Sequence, residues 1–170
     1  MIGFNIVYRV LFSFFLLSFQ SAGPYQGKPK GKVIADQKMI NDLLGKARDT
    51  IQTVSGKYLL VASAVRDFMP GGISDHRLRL TNKLVSADSR LPDTQVDIVE
   101  QFVILRDSVW LAIIDYSSRR YKQQTHQKRS NGGPLWNCQE RVIVVARVHD
   151  SIAHRDYFLQ AKDVIIKCVE

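Results

Sequence analysis

With 170 residues and 24 Lys and Arg against 16 Asp and Glu, the chain is one ordinary domain, long enough to bury a core, with a net charge of +8. No catalytic or metal-ligand motif stands out and no cofactor is implied, so the sequence by itself does not say what the protein does. Inside a cell such a charge would suggest nucleic acid. Outside one, where the first residues place this chain, it suggests anionic glycans, lipid headgroups or acidic proteins.

Residues 1–22 read as a secretory signal peptide. Arg9 precedes an uncharged apolar run from Val10 to Phe19, and the small residues Ser21, Ala22 and Gly23 follow. The run is shorter than the roughly 20 residues that a membrane-crossing helix needs. An uncleaved anchor is the alternative, because Arg9 and the amino terminus are the only positive charges of the n-region. The expected location is extracellular. Residues 23–32 contain Pro, Gly and Lys with only Tyr25 to bury, and predict a flexible leader.

A helix is predicted to start near Ala35 or Asp36, an acidic residue suited to the helix dipole. From Ile40 the apolar residues recur in steps of three and four: Leu43, Leu44, Ala47, Ile51, Val54, Tyr58, Val61, Ala62, Val65, Phe68, Met69. This spacing predicts one long helix, or two end to end with a break near Gly45 or Gly56, stopped by Pro70-Gly71-Gly72.

Alternating or β-branched segments follow at 76–86, 95–105, 109–117, 141–149 and 154–168. The short connections at 106–108 and 150–153 predict two hairpins, and 118–137 is expected to be a polar loop or hairpin tip. The predicted class is α+β: a single roll domain over 33–170, with the helical region packed on a curved antiparallel sheet of four to five strands. An exposed edge of such a sheet is a surface on which a second copy could pair, giving a homodimer.

Gln52-Thr53-Val54-Ser55-Gly56 matches Q-x-V-x-G and resembles the first-hairpin motif of the cystatins. That resemblance implies a wedge, carried by Gln52, Val54 and Gly56, that enters the cleft of a papain-type cysteine protease. The family's second-hairpin Pro-Trp pair is approximated by Pro134-Leu135-Trp136. The helical spacing competes with this reading, since it buries Val54 inside a helix. The element order as a whole resembles the nuclear transport factor two-like roll. That resemblance implies a cavity between helix and sheet for a small apolar ligand, and Phe102, Ile104, Leu111 and Ile113 are the expected lining.

If Asp107-Ser108 is a two-residue turn, Arg106 faces Val109 and Glu100 faces Asp115. Two carboxylates on that apolar face would prepare one of them for general acid or base chemistry in an isomerase or lyase. Arg119, Arg120 and Lys122, with Tyr121 and Trp136 nearby, are candidate anion-binding residues for a sulfated glycan or a headgroup. His76, His126, His149 and His154 show no metal spacing. Cys138 and Cys168 lie symmetrically about the last predicted turn, and secretion makes a disulfide between them the expectation. The leading functional reading is a secreted, non-enzymatic module that binds a small apolar ligand or a protein. A cystatin-like inhibitor and a small-molecule isomerase or lyase are the alternatives.

Overall fold

The structure, a computed structural model, describes residues 30–69, 76–88, 93–116 and 126–170. The signal peptide, most of the predicted leader and the anion-binding candidates Arg119, Arg120 and Lys122 lie outside them. The elements are β1 (Lys32–Ala35), α1 (Gln37–Lys46), β2 (Thr50–Thr53), β3 (Gly56–Asp67), β4 (Arg79–Ser86), β5 (Val96–Leu105), β6 (Ser108–Ala112), β7 (Gln127–Ser130), β8 (Arg141–Asp150) and β9 (Arg155–Val169).

The protein is mostly β, which overturns the α+β roll predicted from the sequence. α1 starts where expected, with the Asp36 side chain accepting from the backbone N–H of Met39 at 2.9 Å. It stops after Lys46: Ala47 caps it by donating its N–H to Leu43 O, and β9 captures Arg48. Arg48 N–H donates to Phe158 O, and Gln160 N–H donates to Arg48 O, each at 2.9 Å. The stripe that continues from Ile51 to Val65 is not helical. Its true period is two: Tyr58, Leu60 and Ala64 are buried while Val61 faces out. The misreading has a simple cause. Tyr58-Leu59-Leu60-Val61-Ala62 is apolar on both parities, so a helical template finds a residue at every step it needs.

The strands follow the order β1-β6-β5-β8-β9-β3-β4-β7, with β2 paired to β3. Every pairing is antiparallel except β3 with β9, which run parallel. The sheet curls until β7 meets the chain that follows β6. There Ile114 bridges Ser130, and Asp115 N–H donates to Arg129 O at 2.7 Å. This closes the sheet into a barrel, which removes most of its edges.

Two apolar clusters result. The inner one fills the barrel with Tyr58, Leu80, Leu84, Ile98, Trp110, Leu159 and their neighbours. The outer one lies between α1 and the convex face, where Ile40, Leu43 and Ala47 cover Phe102, Ile104, Val109 and Val145. The helix therefore packs on the outside of the curved sheet. The hollow is occupied by the sheet's own side chains.

The last part of the predicted leader is held in place. Lys30 N–H donates to Gly132 O at 2.9 Å and Trp110 Nε1 donates to Lys30 O at 3.1 Å, so the chain is fixed from Lys30 onward. At the far end, Cys138 and Cys168 form the expected disulfide, with Cα atoms 5.7 Å apart. It prolongs the β8–β9 pairing, in which Arg141 faces Ile165.

Candidate functional site: the tip of the β2–β3 hairpin

Residues 52–56, which the helical reading would have coiled, form a tight hairpin. Gln52 and Thr53 end β2, Val54 and Ser55 make the turn, and Gly56 opens β3 opposite Thr53. Gly56 has φ +146°, a backbone conformation that a residue with a Cβ adopts only under strain. Thr53 is buried, and its hydroxyl donates to Gly56 O at 3.0 Å, tying the two strands together beneath the turn.

The tip is braced from inside the barrel. Tyr58, 1% exposed, donates its phenolic O–H to Ser55 Oγ at 3.3 Å and accepts from Asp93 N–H at 3.1 Å. Ala87 N–H donates to Lys57 O at 2.8 Å, so the β4–β5 connection flanks the hairpin. Against this fixed base Val54 projects with 71% of its surface exposed, beside exposed Gln52 and Lys57. The β8–β9 turn, with exposed Ile152, occupies the same barrel end through Ser151 N–H to Gln95 O at 2.9 Å. A rigid, narrow apolar point of this kind suits insertion into a groove, because little conformational freedom is lost on binding.

The other segment that carried the cystatin resemblance is elsewhere. Trp136 O accepts from Arg66 Nη1 at 2.8 Å, and Arg66 stands ten residues along β3 from Gly56. At about 3.3 Å per residue this is roughly 30 Å away, at the opposite end of the barrel. The ring of Trp136 packs against the inner cluster. Pro134-Leu135-Trp136 and Gln52–Gly56 therefore do not form one edge.

The expected ligand-lining residues divide. Phe102, Ile104 and Leu111 share the outer cluster, where side chains of α1 cover them, and Ile113 lies outside it with 59% exposure. The carboxylate pair does not form. The turn of the β5–β6 hairpin is Arg106-Asp107, with Arg106 at φ +55°, so Leu105 faces Ser108 and Gln101 faces Ala112. That is one residue earlier than the predicted turn, and it carries Glu100 and Asp115 out of register. An irregularity between Ile98 and Glu100 turns Glu100 toward Arg147, whose Nε donates to it at 2.8 Å. Asp115 instead accepts from Asn131 Nδ2 at 2.8 Å. The same Arg147 and His149 bind Asp156 at 2.7 and 2.8 Å, and the His149 contact followed by that of Arg147 holds the Asp156 carboxyl below its usual value.

Among the described residues no group of three His, Cys, Asp or Glu is placed to hold a metal ion. No protein-family model, no curated protein and no solved structure matches the chain.

Proposed function

We propose that the protein is a non-enzymatic, secreted binding protein that inserts the β2–β3 hairpin tip into a groove of a partner protein. The cleft of a papain-type cysteine protease is the partner that the Q-x-V-x-G resemblance nominates. The observation that carries this reading is the hairpin itself. Gln52 to Gly56 form a turn braced by Thr53 and Tyr58, with Val54 projecting into solvent. The disulfide is compatible with an extracellular location. The edge that meets the partner would consist of the tip and the loops beside it at the same barrel end, without Trp136.

The test is a steady-state assay of papain-type protease activity titrated with the full chain. Wild type should slow turnover in a saturable way. Val54→Asp, which changes an exposed side chain and leaves Tyr58 and Thr53 in place, should abolish the effect without altering the melting temperature. Gly56→Glu should abolish it too. A wild-type protein that leaves the protease untouched would remove the protease from consideration. Equal inhibition by wild type and Val54→Asp would remove the hairpin.

A further inference from the structure

Where α1 gives way to β2, the chain crosses the start of β9 and leaves a cleft of about 360 Å³. Lys46, Arg48, Ile51, Arg155, Tyr157 and Phe158 line it. Tyr157 and Phe158 are consecutive on β9 and face opposite sides of the sheet, Tyr157 with Ile51 toward the inner cluster and Phe158 toward the outer one. Ile51 and Tyr157 therefore make the apolar floor, Phe158 stands at the far wall, and the rim is cationic. Lys46 Nζ lies 5.8 Å from the centre of the Phe158 ring, and the Arg155 guanidinium lies 5.3 Å from that of Tyr157.

The three cations share one property. Among the described residues none of them forms an ion pair with a carboxylate. Arg48 directs Nη1 to Gly45 O and Ala47 O at 2.9 Å, the carbonyls at the end of α1, and its remaining N–H groups make no hydrogen bond there. The carboxylate that also lines the cleft, Asp156, is already engaged by Arg147 and His149. Two cations near the cleft do have a carboxylate: Lys162 has Asp49, and Arg147 has Glu100 and Asp156. The three cations are exposed and share the lining of one cleft, so an anion that enters it meets positive charge whose attraction no carboxylate pairing has used up.

We infer that this cleft binds a small organic anion. Its planar apolar body lies on Ile51 and Tyr157, and its carboxylate, sulfonate or phosphate group is held by Arg48 and Arg155. The volume is that of an ordinary small-molecule site. The inference does not rest on the hairpin tip, whose partner is a protein.

The experiment uses the full chain with its disulfide intact and three probes: naphthalene-1-sulfonate, uncharged 1-naphthol and inorganic sulfate. Calorimetry should give one saturable site for naphthalene-1-sulfonate, at least about tenfold tighter than for either of the other two, since each lacks one half of the interaction. Resonances of Ile51 and Tyr157 should shift with the same titration. Arg155→Gln removes no side-chain hydrogen bond among the described residues and should weaken binding severalfold. Arg48→Gln/Arg155→Gln should weaken it by about tenfold or more while Val54→Asp leaves it unchanged. Unchanged affinity in Arg155→Gln overturns the proposal. So does equal binding of sulfate and naphthalene-1-sulfonate, or a set of shifted resonances away from the start of β9.

Discussion

Asn82 Nδ2 donates to Gln101 Oε1 at 3.0 Å across the inside of the barrel, and neither side chain is more than 1% exposed. The pair is half satisfied: among the described residues, Asn82 Oδ1 and Gln101 Nε2 have no hydrogen-bond partner. Gln101 has room to reach Asn82 because its neighbours across both flanking strands, Ala112 and Ala146, are small. Gln101→Leu alone strands the amide of Asn82 in an apolar interior and should cost about 1–3 kcal/mol in urea unfolding. Replacing both residues by Leu should recover much of that loss. Additive costs in the double-mutant cycle would mean that the two amides act independently.

Trp110 is wedged between two glycines, and the barrel seam closes over it. A Cβ at Gly133 would lie 2.7 Å from the Trp110 ring and 2.9 Å from Leu78 O. Gly133→Ala should therefore destabilise by about 1–3 kcal/mol through overpacking. Gly45→Ala supplies the opposite sign. That residue sits in the exposed part of α1 with nothing within 4 Å of an added Cβ, and the change should stabilise by roughly 0.5–1 kcal/mol. The comparison is a pair of thermal melts, and equal shifts would contradict the packing described at the seam.

The two hairpins made by β5–β6 and β8–β9, the start of α1 and the disulfide were legible in the sequence because each depends on neighbours a few residues away or on one simple register. The barrel was not. β7 is the polar tetrapeptide Gln127-Lys128-Arg129-Ser130, which buries only Ser130 and is a strand because β4 pairs with it. β3 imitates helical spacing for the reason that its central run is apolar on both faces. Of the candidate sites, the hairpin tip left a trace in Gln52, Val54 and Gly56. The anion cleft left none, because Arg48 and Arg155 are brought together by the Arg48–Leu159 bridge, which joins segments distant in sequence.

Breaking the Cys138–Cys168 bond should lower stability by about 3–4 kcal/mol if the main effect is the freedom returned to the unfolded chain. Beyond the last paired strand residues, Gln139 N–H donates to Ile166 O at 2.8 Å and Ile166 N–H to Glu140 O at 2.9 Å, so the hairpin end is held by hydrogen bonds as well. Cys138→Ser/Cys168→Ser should therefore remain folded at 25 °C with an unchanged barrel and a lower urea midpoint. Loss of cooperative unfolding in that variant would show that the bond maintains the fold itself.

Stability should fall in two separate pH windows. Burial holds the His126 imidazole below its ordinary 6.5, and the attraction of Asp97 offsets this only in part. The unfolded chain takes up a proton near 6.5 while the folded chain resists, so this contribution is complete above that value and is lost as pH falls through the lower folded value. Asp156 acts further down. Its carboxyl, held low by His149 and Arg147, stabilises the fold above about 3.8, and that support disappears as pH falls through the lower folded value. Urea midpoints measured from pH 7.5 to 3 should show both declines in wild type. His126→Gln should remove the upper one, Asp156→Asn the lower one, and neither change should affect the other window. A single decline shared by both variants would place the titrating groups elsewhere.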